Sequence, residues 1–429
     1  MCGAAGERGS DAAAYRRGRV GAERPASESV AMAHKRGDGA EDLGQRISFR
    51  HVLGDPGFLG RRAWPDGNHP SLLGVFVQRN RISSSLRRKV SKLFPTRAPA
   101  FVPGRRFLTS FIRDGNGLLD DAKPLAARGG LLLLRISPRP GDKNSDLRLC
   151  VCNLFTGRRD FLTPLNAAFL YGKGVQGYAL LTAADHGAGP HRAADGYSTF
   201  FQVLLLGVSR EERQLHLIRF SSSVAGGRKW YSQNCSRKIG FHPGWPCGCC
   251  VAAVARGTAH WFFRRNGPDV PSMYTLDVCI ITGRISATML PFDVLPNEMR
   301  VDLWNACLGT STEERLLLFY VKDNHLMIWK HGDGDQVGTS AWRFTSNAQV
   351  GVELGLLGIE SLSSVCVGEK SGTALALYHS EPECAYMLDL QSGSATKMEG
   401  WTRAFNYMTA VPNEINWPLF FMLRHGLRP

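Results

Sequence analysis

Short apolar segments of four to eight residues recur along the chain from about residue 107 onward. They are rich in Val, Ile, Phe, Tyr and Trp or alternate in polarity, and Gly, Asp, Asn, Ser and Pro separate them. Such segments are typical of β-strands, because branched and aromatic side chains pack well on a pleated sheet and the separating residues favour turns. Clear examples are Leu131–Ile136, Leu149–Cys152, Phe200–Gly207, Leu215–Phe220 and Leu316–Val321. The sequence shows no long amphipathic helical pattern after residue 110, so it predicts an all-β domain.

One strand-and-turn element occurs three times, in Leu149–Arg158, Tyr274–Arg284 and Tyr386–Gly393. Each copy has a strand, an Asp or Asn, an apolar residue and a Gly preceded by Thr or Ser. The Asp or Asn side chain can bond the turn backbone and Gly supplies a positive φ, so the element predicts a hairpin. The middle copy has a longer spacing, from Asp277 to Gly283, and predicts a loop that is two residues longer than in the other copies.

A second element, consisting of a strand, a polar turn and a Trp, occurs in Leu215–Trp230 and Leu326–Trp342. Together the five elements recur about every 50 to 65 residues with three or four strands per unit, which is typical of β-propeller blades with long loops. The remaining ~320 residues predict about six blades, and a pair of β-sandwiches is the alternative fold. The tryptophans expected to pack between blades are Trp230, Trp261, Trp329 and Trp342.

Four segments follow one another along the chain. Residues 1–42 have no apolar period and predict a disordered leader. Residues 43–62 predict a short helix that ends at Asp55-Pro56-Gly57. Residues 63–106 form a basic connecting segment broken by prolines, and residues 107–429 form the predicted propeller-like domain.

The positive charge of the chain is concentrated near its beginning. The net charge is +15, and residues 1–110 hold 20 Lys and Arg but only 9 Asp and Glu. A basic arm can bind nucleic acid by charge, but a solvated leader is the favoured interpretation and nucleic acid is not the expected partner. No apolar stretch approaches the ~18–20 residues of a membrane helix and no secretory signal is present, which predicts a cytoplasmic or nuclear protein without membrane contact.

Few residues carry a pattern of metal ligands or of catalytic groups. Cys247, Cys249 and Cys250 lie near His242 and His260, but their spacing matches no common zinc site, so no metal or cofactor is predicted. Common nucleophile, phosphate-binding and metalloprotease motifs are absent from the sequence, and His260 is expected to be a satisfied core or blade-edge histidine. The prediction is a chain that is not an enzyme and has no catalytic residues. The alternative is a propeller hydrolase or lyase, which requires acidic or His side chains converging in the central channel.

Several segments resemble plant F-box proteins that carry an F-box-associated β-propeller-like domain, especially a large subfamily expanded in grasses. LCVCNLFTGRRDFLTP resembles their strand with Asn-Pro-x-Thr-Gly and Leu-Pro, and Val254–Phe263 resembles their Gly-x-x-His-Trp strand. VGEKSGTALALY and YMLDLQSGSATKM are similar to their late blades. His51–Arg62 resembles the end of an F-box. The resemblance spans most of residues 43–400.

The resemblance implies a non-enzymatic protein-interaction module that serves as the substrate-recognition subunit of an SCF-type ubiquitin ligase. Residues 1–42 lack the Leu-Pro opening and first helix of an F-box, so the F-box is truncated or degenerate and adaptor binding is left open. The partner protein is not identified, and a Skp-type adaptor is one candidate. The F-box residues expected to contact that adaptor are Val52, Leu53, Phe58 and Leu59.

Overall fold

The computed structural model describes residues 71–79, 99–103, 119, 121–137, 146–154, 156–166, 170–186, 200–209, 214–223, 229–236, 245–246, 251–265, 272–290, 306–322, 325–332, 342–349, 362–369, 372–378, 384–390, 395–398, 401 and 405–415. They all belong to the second of two compact units, residues 49–429. This part of the chain is almost entirely β-structure, with one 3-10 turn at Ala183–His186. No helix within it is long and apolar enough to cross a membrane.

The strands form six antiparallel sheets, numbered here as blades 1 to 6 along the chain. In chain order they are β1 (Ser71–Arg79), β2 (Ala100–Pro103), β3 (Lys123–Arg128), β4 (Leu131–Ile136), β5 (Arg148–Asn153), β6 (Arg159–Phe161), β7 (Leu170–Thr182), β8 (Phe201–Ser209), β9 (Leu215–Ser221), β10 (Trp230–Asn234), β11 (Trp245–Pro246), β12 (Ala253–Ala255), β13 (Thr258–Arg265), β14 (Ser272–Cys279), β15 (Ile285–Met289), β16 (Ala306–Thr310), β17 (Leu316–Lys322), β18 (His325–His331), β19 (Trp342–Gln349), β20 (Leu362–Val367), β21 (Thr373–Tyr378), β22 (Cys384–Asp389), β23 (Ala395–Lys397) and β24 (Phe405–Ile415). Blades 1 to 5 hold β3–β6, β7–β10, β11–β15, β16–β19 and β20–β23, and blade 6 holds β24, β1 and β2.

Each blade is buried on both faces. Along β4, Leu131 and Leu133 pack against blade 2, whereas Leu132 and Leu134 pack against blade 6. A strand buried on both faces needs apolar residues at successive positions, which accounts for the uninterrupted apolar runs in the sequence. Six separate apolar clusters fill the six spaces between neighbouring blades. The predicted all-β, six-bladed propeller is therefore confirmed.

The tryptophans stabilise these spaces between blades, as predicted. Trp261 packs between blades 2 and 3, and Trp329 and Trp342 pack between blades 3 and 4. Trp230 is half-buried against the cluster of blades 1 and 2, and its indole N–H donates to the carbonyl of Thr163 at 2.7 Å. Trp230 and Trp342 each begin the outermost strand of an even-numbered blade.

Blade 6 closes the ring by joining the two ends of the propeller. Its inner strand β24 pairs with β1, with Phe76 opposite Val411, and β1 pairs with β2. Both β1 and β2 lie within residues 63–106, which the sequence analysis assigned to a connecting segment, so the propeller begins before residue 107. Prolines and basic residues around these strands hid the apolar run of Val75–Val77. The boundaries at residues 42 and 62 lie outside the described residues.

Blades 1, 3 and 5 share one hairpin arrangement. The turn between the first and second strands contains Gly130, Gly257 or Gly372, each with a positive φ of +67° to +78°. The carbonyl of that glycine accepts a hydrogen bond from the residue after the third strand, Leu154, Ile280 or Leu390, at 2.8–2.9 Å. This bond connects the two turns of each odd-numbered blade.

The middle copy of this hairpin, in blade 3, does not have the longer loop that the sequence predicts. The strand continues past Asp277 to Cys279, and the Gly283 N–H donates to the Cys279 carbonyl just as the Gly157 N–H donates to that of Asn153. The loop is therefore no longer than in blade 1. Hydrogen bonds from Thr282 and Ile281 to the thiol lower the pKa of Cys279, although burial opposes this shift. The thiol thus takes the acceptor role of the Asn153 side chain, which bonds Thr156 N–H.

Replacing Phe76 by Ala tests whether blade 6 closes the ring. Phe76 is fully buried on β1 with its ring centroid 5.0 Å from that of Phe101. We expect the free energy of unfolding in urea to fall by about 3–5 kcal/mol, because the truncation leaves a cavity in the closing blade. The matched control is Phe161→Ala on β6, where the ring is 50% exposed and the loss is expected to stay below about 1 kcal/mol. Equal small losses in the two variants would contradict the closure.

Candidate functional site

Within blades 1 to 5, the turn between the first and second strands and the turn between the third and fourth strands lie on the same face of the propeller. We call this the turn face, and its described turn residues are 129–130, 154, 156–158, 183–186, 256–257, 280–284, 311–315, 368–369 and 372. The first strand of each blade runs toward this face, so side chains at the strand ends meet around the mouth of the central channel. Two polar groupings lie here, one at the channel mouth and one in a cleft between blades 3 and 4.

The central channel is narrow and lined mainly by small or apolar side chains. Its cavity measures about 90 Å³ and is bordered by the inner strands of all six blades. Arg128 and Glu369 are the charged residues in this lining. Within the described lining, the channel therefore does not bring together the acidic and His side chains that the hydrolase alternative requires.

Arg128 connects three blades at the channel mouth. Its Nη2 and Nε atoms donate to the two Asp185 carboxylate oxygens of blade 2, at 2.6 and 2.9 Å. Its Nη1 lies 3.3 Å from a Glu369 carboxylate oxygen of blade 5. Thr310 of blade 4 donates its hydroxyl proton to the Glu369 carbonyl. All three charged side chains are at most one-fifth exposed, so the pairs are largely shielded from water.

These contacts shift the ionisation of both partners. Burial alone would lower the pKa of Arg128, but the charges of Asp185 and Glu369 outweigh it and raise that pKa. Burial alone would likewise raise the pKa of Asp185, but Arg128 and hydrogen bonds from Thr182 hold it below its ordinary value. The Asp185 carboxylate is therefore ionised in the folded protein at neutral pH.

The second grouping is a row of polar side chains across blade 3. His260 on β13 lies opposite Asp277 on β14, and the two are joined by a 2.7 Å hydrogen bond between Nδ1 and a carboxylate oxygen. The other Asp277 oxygen accepts the Thr288 hydroxyl proton at 2.6 Å. Since a carboxylate can only accept, Nδ1 carries the proton and the Nε2 side of the ring is left for other contacts. His260 is thus satisfied at one nitrogen, as the sequence predicts.

A cleft of about 300 Å³ lies in front of this row. Blade 3 contributes His260, Asp277 and three threonines, and blade 4 contributes the turn at residues 314–316 with His331 and Gly332. His331 stacks edge-on against the buried Trp342, with ring centroids 5.2 Å apart. Unlike the channel, the cleft is polar on both sides.

The sequence-predicted binding residues fall outside what the structure describes. Val52, Leu53, Phe58 and Leu59 lie in residues without a description, as do Cys247, Cys249, Cys250 and His242. Among the described residues, no group of three or more His, Cys, Asp or Glu is placed to hold a metal ion. The pairing of His260 with Asp277 was not predicted, because the sequence pattern places Asp277 at the beginning of a turn. Arg128 and Asp185 were not predicted either, because they carry no motif.

No protein-family model matches the chain, and no curated protein is similar to it. Among solved structures, the chain is similar to the Pyrococcus horikoshii acylaminoacyl peptidase (orthorhombic crystal form), with 9% sequence identity and a TM-score of 0.33. The likeness covers 65% of this chain and 40% of the peptidase chain, so this chain spans well under half of the peptidase's length.

This comparison overturns one prediction. The sequence predicts a chain that is not an enzyme, whereas the similar structure is that of a peptidase. The expectation rested on missing motifs and on the propeller pattern, and a propeller can belong to an enzyme or to a binding protein. The weak likeness assigns no reaction to this chain.

The ion pair at the channel mouth predicts a pH dependence of stability. Because the pKa of Asp185 in the folded chain lies below its ordinary value of 3.8, its contribution is complete above about pH 5 and is lost as the pH falls through the lowered pKa. We expect urea unfolding to show a wild-type advantage over Asp185→Asn that shrinks between about pH 5 and pH 2. Other carboxyl groups protonate equally in both proteins and cancel. A difference that stays constant over this range would contradict the prediction.

Proposed function

We propose that this chain is a protein-interaction module that binds a partner through its turn face. The observation that carries the proposal is the exposure of Ile281. Its side chain is 69% exposed, and the backbone of its turn is held in place by hydrogen bonds. The preceding residue is fixed by the Ile280 N–H bond to the Gly257 carbonyl, and the turn is closed by the Gly283 N–H. An exposed apolar side chain on a rigid turn can be buried by a partner without a backbone ordering cost.

Exposed charged residues lie on the same face of the propeller as this apolar side chain. Arg256 and Arg284 are exposed on blade 3, Arg158 is exposed on blade 1 and Glu313 on blade 4. Arginine beside an apolar anchor is a common composition of protein interfaces, since its guanidinium can pair with carboxylates and its stem packs on apolar surface. The closed ring holds these turns in a fixed arrangement, which supports recognition of one particular surface.

The finer proposal is that the chain is the recognition subunit of an SCF-type ubiquitin ligase located in the cytoplasm or nucleus. It is supported by the resemblance of His51–Arg62 to the end of an F-box and of the blades to F-box-associated propellers. In this proposal Val52, Leu53, Phe58 and Leu59 contact a Skp-type adaptor, and the turn face binds the protein to be modified.

Binding at the turn face is tested by affinity capture with the full chain. We expect a set of proteins retained by the wild type to be lost from the double variant Ile281→Asp and Arg284→Glu, because a charge replaces the apolar anchor and a second charge is reversed. The control is Arg135→Glu, an exposed arginine at the other end of blade 1. Retention of the same proteins by both variants would place binding elsewhere.

The adaptor is tested separately with purified components. We expect a Skp-type adaptor to co-purify with the full chain and to be lost from the double variant Leu53→Asp and Phe58→Asp, since burying two carboxylates in an apolar contact is costly. Val20→Asp, in the predicted leader, serves as the control. An adaptor that never co-purifies with the wild type rejects the ligase proposal and leaves the turn-face proposal standing.

A further inference from the structure

The three odd-numbered blades can be aligned residue by residue through their shared hairpins. Counted from the turn glycines, His260 occupies the position of Leu133 in blade 1 and Leu375 in blade 5. The strand register agrees, because His260 pairs with Asp277, Leu133 with Val151 and Leu375 with Met387. Asp277 therefore stands where the sister blades have Val and Met.

Two further residues of blade 3 are polar where blades 1 and 5 have apolar residues. Thr275 corresponds to Leu149 and Ala385, and Thr288 corresponds to Leu162 and Met398. The apolar counterparts are buried in the spaces between blades. Blade 3 thus replaces four apolar residues of one face by polar ones, and all four border the same cleft.

This replacement opens the cleft and is costly for stability. Between blades 3 and 4 the apolar packing extends through Phe262, Met273 and Leu290, and it stops where the polar residues begin. Placing Asp and His where a propeller has a dry interface sacrifices apolar burial, and replacing such polar groups by packed apolar ones is often stabilising. Polar groups that weaken an interface yet form an ordered row are a mark of a binding site.

Backbone strain points to the same place. Among the described residues, three other than glycine have a positive φ, and two of them, Arg256 at +46° and Glu314 at +57°, border this cleft. Such conformations are costly and tend to occur at functional sites. The strained turns face each other across the cleft from blades 3 and 4.

The charges around the cleft are balanced. Arg256 and Arg315 face Asp277 and Glu314 in its lining. At its edge, Glu313 lies 3.1 Å from both Arg315 and Lys330, which adds one negative and one positive charge. A cleft bordered by polar side chains and without net formal charge favours an uncharged ligand with several hydroxyl groups over an anion or a cation.

We propose that the cleft between blades 3 and 4 binds a neutral polyhydroxylated ligand of about one sugar unit, with His260 bonding a ligand hydroxyl through Nε2. A hydroxyl group both donates and accepts, so it can pair with the imidazole, with carboxylates and with guanidinium groups alike. The volume of about 300 Å³ is at the lower end of small-molecule sites, which limits the ligand to about one ring. This site shares Arg256 and Glu313 with the turn face, but the inference does not rest on the proposed protein partner. The ligand is a free sugar or polyol, or the terminal unit of a glycan.

The test is a binding titration of the full chain with defined probes. The neutral probes are glucose, mannose, N-acetylglucosamine and myo-inositol, and the charged probes are acetate, phosphate and methylammonium. The readouts are the imidazole nitrogen resonances of His260, assigned from their loss in His260→Gln, and the midpoint of thermal unfolding. We expect at least one neutral probe to shift the His260 resonances saturably at about millimolar concentration and to raise the midpoint, with no response to charged probes. A glycoprotein, compared before and after removal of its glycans, then distinguishes a bound glycan from a free sugar.

Variants separate binding from a structural role. The triple variant His260→Leu, Asp277→Val and Thr288→Leu restores the residues of blade 1, and we expect it to unfold at a higher temperature and to lose the thermal response to the ligand. His216→Gln in blade 2 is the control and should keep that response. A triple variant that unfolds at a lower temperature would assign the polar row to folding and overturn the proposal. Binding of charged probes in place of neutral ones, or no His260 response in the wild type, would also overturn it.

Discussion

The structure depends on one constraint, namely that each sheet of three to five strands has two apolar faces and can bury neither alone. Only a closed ring gives every face a partner, and the six apolar clusters between blades show that this closure is complete over the described strands. The constraint explains why successive residues such as Leu131–Leu134 are all buried. It also explains why a strand from the beginning of the propeller must pair with a strand from its end.

The local pattern of the sequence was sufficient to predict the strands, the repeat and about six blades. It could not reveal that β1 and β2 complete blade 6, because the pairing of Phe76 with Val411 joins residues far apart in the chain and neither stretch of sequence signals the other. It also misplaced Asp277. An acidic residue before a Thr-Gly pair resembles a turn residue, and a cysteine is not expected to be the hydrogen-bond acceptor of such a turn, yet Cys279 has that role.

The polar cleft has a signal in the sequence, namely polar residues of blade 3 at positions that are apolar in blades 1 and 5. Once the hairpin is aligned at Cys279, His260 and Asp277 fall at positions that are Leu and Val in blade 1, and their pairing follows from the strand register. Because the strand was predicted to end at Asp277 and not at Cys279, two residues too early, the blades were aligned wrongly and this difference between them was not visible. The grouping of Arg128, Asp185 and Glu369 carried no comparable signal, because its members come from three blades that meet only in the closed ring.

The closing blade also determines where the two ends of the propeller lie. In the other blades a turn joins the first and second strands at the turn face, whereas in blade 6 these strands are β24 and β1, and Ser71 lies opposite Ile415. Both chain ends of the propeller therefore emerge on that side. The seam of the ring is thus held by backbone hydrogen bonds and apolar packing rather than by a connecting turn, so the two ends of the propeller stay together without a covalent link between them.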